Sequence, residues 1–164
     1  MVRRRTFLKL GVGGGALLAA AGAASWLAVR DPRANRREVL AGVIPAILDT
    51  ALPTDAGQRA RAIEQASAAV EVAIGALSAP AQDELAQLFA LMVLAPTRLA
   101  LAGLARPWHE ADVAEVSAVL QRWRTHRLEL LQSAYHALHD LVTGSWYAEP
   151  AHWAAIGYDG PPQL

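Results

Sequence analysis

His136 and His139 stand three residues apart in a stretch of helical pattern, so their rings share one side, and Glu129 and Asp140 are close enough in sequence to join them. Two imidazoles and a carboxylate are a donor set for zinc or another divalent cation. The pattern lacks the HExxH order in which a glutamate serves as general base, and alanine-rich helices commonly carry histidines on a wet face. The other histidines, His109, His126 and His152, are scattered. Ser133 and Ser145 have no nucleophile elbow around them, so a hydrolytic triad with Asp140 would be assembled only by free choice. Carboxylate pairs such as Asp83-Glu84 and Asp112-Glu115 fall in first helical turns, where the helix dipole already accounts for them. No glycine-rich nucleotide fingerprint follows a strand pattern, and the chain has no cysteine, so thiolate nucleophiles, thiolate metal sites and Cys-His haem attachment are absent. The residues give no catalytic, cofactor-binding or metal site with a motif behind it, and a His-dependent metalloenzyme is the weakest of the available readings.

The elements that must carry whatever the chain does begin with its charge distribution. Fifteen Lys and Arg balance fifteen Asp and Glu, but Arg3, Arg4, Arg5 and Lys9 all lie in the first nine positions. They precede GVGGGALLAAAGAASWLAV, which has no charge. A basic n-region, a mildly apolar h-region and the small residues Ala21-Gly22-Ala23 form an export signal. Its order, Arg4-Arg5-Thr6-Phe7-Leu8-Lys9, is that of a twin-arginine signal. The uncharged run 10–29 is long enough to stay in a bilayer, although its glycine and alanine content makes a poor anchor, so cleavage after Ala23 is favoured over retention. Removing residues 1–29 takes four bases and no acid, which leaves eleven bases against fifteen acids and a formal charge of −4. No basic stripe remains for nucleic acid.

The roughly 140 residues beyond the cleavage position suffice for one core. Their pattern is all-α: a small helical bundle preceded by the signal helix (1–29) and a linker (30–37), with a helical domain at 38–144 and an extended tail rich in aromatics, proline and glycine at 145–164. Asn35 is expected to cap the first helix with Glu38 at its third position, and Pro45 to kink or divide it. A turn at 52–59 leads to a second helix at 60–77, on which Ile63, Ala66, Val70 and Ile74 recur at helical spacing. Ser78 and Pro80 open a third, which becomes almost wholly apolar over 88–104. That run is either the centre of the bundle or a contact face, with Leu88, Phe89 and Met92 as core or interface residues; a membrane span is the weaker option, since Pro96, Thr97 and Arg98 interrupt it. One long fourth helix is expected over 110–142, with Val116, Leu120, Trp123, Leu131 and Leu138 in its stripe.

The terminal segment WYAEPAHWAAIGYDGPP concentrates Trp146, Tyr147, Trp153 and Tyr158 among prolines and glycines. Such rings lie either on the domain's own groove or on another subunit, where Trp and Tyr are favoured anchors. Together with the leader and the segment VIPAILDTALPTD at 43–55, this ending resembles the small subunit of exported flavin-dependent dehydrogenases, the gluconate 2-dehydrogenase subunit 3 family. Ile44, Pro45, Leu52, Pro53 and Asp55 match the family's first helix and turn, and Trp146, Tyr147, Trp153, Tyr158, Pro161 and Pro162 its ending.

The resemblance implies a non-catalytic chain without a cofactor of its own. Its partner would be a large FAD-containing subunit of the glucose-methanol-choline type, in some complexes with a multihaem cytochrome c as a third subunit. Arg4, Arg5, Phe7, Leu8 and Lys9 would engage the twin-arginine translocase, and this chain would carry the folded, flavin-loaded partner to the periplasm, where the hetero-oligomer associates with the inner membrane. Leu88, Phe89, Met92 and the terminal aromatics and prolines are the expected interface. A freestanding exported helical protein, structural or binding, is the principal alternative.

Overall fold

The computed structural model describes residues 31–160. Six α-helices, one of them a single turn, form a bundle with no strand among the described residues. The all-α expectation therefore holds. The leader and residues 161–164 lie outside the described residues.

Helix α1, Pro32–Ile47, starts at a stronger signal than the one expected at Asn35. Asp31 is the N-cap: its Oδ1 accepts from the backbone N–H groups of Arg33 and Ala34 at 3.1 and 2.9 Å, and Pro32 occupies a first-turn position where no backbone donor is needed. Asn35 is instead buried inside the helix. Pro45 neither divides α1 nor ends it: it falls in the last turn, so the one ladder bond it forgoes, to the Ala41 carbonyl, is followed by only two more helical residues. Helix α1 touches every other long helix of the bundle, with Val39, Leu40, Val43 and Ile44 fully enclosed. The centre of the domain is thus α1 rather than the apolar run at 88–104. Gly42 permits this: a Cβ there would collide with the backbone carbonyl of Trp108.

Helix α2, Ala56–Gly75, is capped by Asp55, whose Oδ1 accepts from the Gln58 N–H at 2.9 Å, so it begins four residues before the expected start. It buries Ala62, Ala66, Val70 and Ile74, four residues apart on one stripe. Helix α3, Ala79–Val93, opens at Ser78 with Pro80 in its first turn, as its sequence predicts, and buries Leu85, Phe89, Ala90 and Met92. Pro96 then breaks the run. The single turn α4, Ala95–Thr97, passes into a π-helical turn, Arg98–Ala102, ended by Gly103 in the left-handed region at φ +71°. The two pieces, Ala79–Val93 and Ala95–Ala102, meet at 78°. Among the described residues no single helix is long and apolar enough to cross a membrane; this bent pair has the length and composition to do so, and is compatible with membrane association.

A short 3-10 turn, Trp108–Glu110, precedes α5, Val113–Arg124, which is opened by a reciprocal capping box between Asp112 and Glu115. The long helix expected over 110–142 is two helices. Thr125 leaves the helical region, the His126 ring Nδ1 accepts from the Leu128 N–H at 3.1 Å, and α6 runs from Glu129 to Tyr147. Local bonding by His126 stands in for the helical ladder at the break. Helix α6 also crosses the expected boundary at 144/145. Beyond it, the segment expected to be extended coils into a 3-10 helix, Pro150–Ile156.

Candidate partner interface

Two places in the bundle leave helix-end carbonyls that need donors. At the corner after α3, Trp108 is 0% exposed and its indole N–H donates to the Met92 carbonyl at 2.8 Å. Trp123 donates to Leu101 at 2.9 Å and Arg122 to Ala102 at 2.6 Å. The rings of Trp108 and Trp123 meet edge to face with centroids 6.1 Å apart. Arg98, 7% exposed, spreads its guanidinium over the carbonyls of Val93, Leu104 and Ala105 at 2.9, 3.4 and 3.3 Å. Its charge faces Glu38 of α1 at 3.8 Å. This arginine was not assigned a role from the sequence. The available signal is a single cation amid an apolar run, which must find oxygen atoms if the run is buried.

The second place is the end of α6. The His152 ring Nδ1 lies 2.6 Å from the Trp146 carbonyl, and the Trp153 indole donates to the Tyr147 carbonyl at 2.8 Å. Since a carbonyl only accepts, the His152 proton on that side sits on Nδ1, which leaves Nε2 as an acceptor in the neutral ring. The His152 ring lies flat on the Trp146 indole, with centroids 3.5 Å apart and planes 3° from parallel. Tyr158 leans on Trp153 at 5.2 Å. The terminal aromatics thus cap their own helix.

The positions of the candidate interface residues differ sharply. Phe89, Met92 and Trp146 are enclosed in this chain's core. Leu88 and Tyr147 are half-buried and packed against that core, and Trp153 is half-buried at the end of α6. Tyr158 is 46% exposed. Pro161, Pro162 and the export residues Arg4, Arg5, Phe7, Leu8 and Lys9 lie outside the described residues.

Between the segment at 51–53 and the end of α6 runs an open groove of about 360 Å³. One wall is α2, which contributes Gln58, Arg61, Ala62 and Gln65; the other is Trp146, Ala151 and His152; Ala51 and Pro53 complete the lining. Two segments nearly a hundred residues apart in sequence therefore meet on one surface. Next to them Leu52 and Trp146 belong to the same core.

The histidines do not assemble. His136 and His139 flank the Tyr135 ring with centroids 5.2 and 5.5 Å away, and the His139 Nδ1 lies 3.3 Å from Asp140 on an open surface. His109 sits 3.6 Å from Glu110, also exposed. Among the described residues no group of three or more His, Asp or Glu side chains is placed to hold a metal ion. Ser145 donates to the Leu141 carbonyl of its own helix at 2.7 Å.

Comparison with known proteins places no relative beside this geometry: no family model, no curated protein and no solved structure matches the chain.

Proposed function

We propose that this chain is the non-catalytic small subunit of an exported FAD-dependent dehydrogenase, which binds the folded, flavin-loaded large subunit and carries it through the twin-arginine route. The observation that carries the reading is the convergence of the two segments whose sequences resemble that family. Ala51 and Pro53 of the segment 43–55 and Trp146, Ala151 and His152 of the ending are separated by most of the domain, yet they line one groove. The leader supplies the second support, since Arg4-Arg5-Thr6-Phe7-Leu8-Lys9 is the order a twin-arginine translocase reads, and that route accepts folded cargo. FAD belongs to the large subunit and haem c, where present, to a third.

The reading makes export of the partner depend on this chain. In cells producing both subunits, replacing Arg4 and Arg5 together by lysine leaves both in the cytoplasm, with the large subunit still holding its flavin. Fractionation with immunoblotting and a flavin assay checks this; a large subunit that stays fully periplasmic would contradict the escort role.

A further inference from the structure

The groove beside the end of α6 has a chemistry of its own. On the α2 wall, Gln58, Arg61 and Gln65 stand at i, i+3 and i+7, and hence along one face. Seven residues of helix rise about 10 Å, the length of about three residues of extended chain. Neither glutamine amide makes a hydrogen bond through its side chain among the described residues, and the Arg61 guanidinium has neither an ion pair nor a hydrogen bond there. Arg59, two positions away, is by contrast committed to Asp49 at 2.6 Å. The opposite wall adds the free Nε2 of His152, whose ring covers the buried Trp146 indole. Among the described residues no acid lines the groove, and Arg61 is the one permanent charge in its lining. The rest of the lining includes Ala51, Pro53 and Ala62.

We infer that this groove binds an extended, carboxylate-bearing polypeptide segment of the partner, with its backbone between the two glutamines, an Asp or Glu side chain on Arg61 and a small apolar side chain against Ala62 and Pro53. An amide side chain donates and accepts at once and therefore matches a peptide group, which does the same. A guanidinium between two such amides adds selection for an anion. The inference deepens the accessory-subunit reading and rests on it for the identity of the partner; the chemistry is testable on this chain alone, and its failure leaves the export experiment untouched.

The test is a titration of the full-length chain with N-acetyl-Ala-Leu-Glu-Ala-amide, followed through the Trp146 indole proton resonance, which Trp146→Phe assigns. The glutamine counterpart of the peptide and sodium propionate are titrated in parallel. The expected result is a saturable shift with the glutamate peptide and binding about fivefold weaker for the glutamine peptide, the scale of one solvent-edge ion pair. Arg61→Gln should abolish that difference while leaving the unfolding midpoint unchanged, and Gln65→Ala should weaken both peptides alike. Propionate should bind far more weakly than either peptide. No saturation up to about 10 mM, the weak edge of measurable affinity, would overturn the inference. So would equal binding of the two peptides, a preference that survives Arg61→Gln, or propionate binding as tightly as the peptide.

Discussion

The corner after α3 and the end of α6 solve the same problem with the same groups and to different effect. Each leaves backbone carbonyls without helical partners, and each recruits tryptophan indoles to satisfy them. At the corner three of the four donors are enclosed: Trp108 is fully buried, Trp123 packs on its edge, and the Arg98 guanidinium is divided among three carbonyls with Glu38 beside it, while Arg122 reaches Ala102 from the exposed side. The indole and guanidinium donors there are all engaged by this chain, and the buried Glu38 Oε1, without a hydrogen bond, faces the Arg98 charge. At the end of α6 the caps are His152 and Trp153, both half-buried, and the surface they form borders an open groove with unused donors in its walls. An aromatic-rich segment is therefore not by itself an interface. The distinction lies in whether its polar edges are all consumed by the chain that carries them.

The sharpest way to break this contrast is to remove the Arg98 side chain. Arg98→Ala uncovers three carbonyls, of which that of Leu104 is at a buried bond, and leaves Glu38 without its cation. A loss of about 3 kcal/mol is expected, at the lower end for a broken buried pair, and urea unfolding of the variant measures it. A loss below about 1 kcal/mol would place the corner among ordinary surface features. The same operation at the other end is milder. Trp153→Phe keeps the ring against Tyr158 but deletes the indole donor to Tyr147, at a part-buried site that solvent can reach. About 1 kcal/mol is expected, with faster amide exchange confined to the last turn of α6 and the 3-10 segment. A loss as large as that for Arg98→Ala would erase the difference between the two regions.

Much of the fold was legible because helical spacing and capping chemistry are local. Val70 and Ile74, Pro80 in the first turn of α3, and the stripe through Val116, Leu120 and Trp123 are readable in the sequence and found in place, whereas Ser78 holds the N-cap position without a side-chain capping bond. Helices α1 and α2 each start four residues before the expected position, because their caps, Asp31 and Asp55, lie ahead of the first apolar residues of the helical stripe. The break at Thr125 to Leu128 had a weaker signature. No glycine or proline marks it, and the signal is only that the stripe positions after Trp123, three and four residues on, hold His126 and Arg127 in place of apolar residues. The position of α1 at the centre was not legible, since its burial depends on Gly42 admitting the Trp108 backbone, a contact sixty-six positions away. The groove was beyond reach for the same reason: Arg61 and Gln65 look like an ordinary solvated face of α2 until His152 and Trp146 are laid across from them.

The central claim is that this chain works as a subunit and not alone. The most direct measurement is affinity purification of the tagged full-length chain from cells that make it at its natural level, with mass determination and a visible absorption spectrum of the material recovered. The expected result is a stable hetero-oligomer with one large subunit whose spectrum is that of bound flavin, and with dehydrogenase activity that stays with the large subunit when the two are separated. Recovery of this chain as a flavin-free monomer, with dehydrogenase activity absent from every fraction that contains it, would contradict the claim.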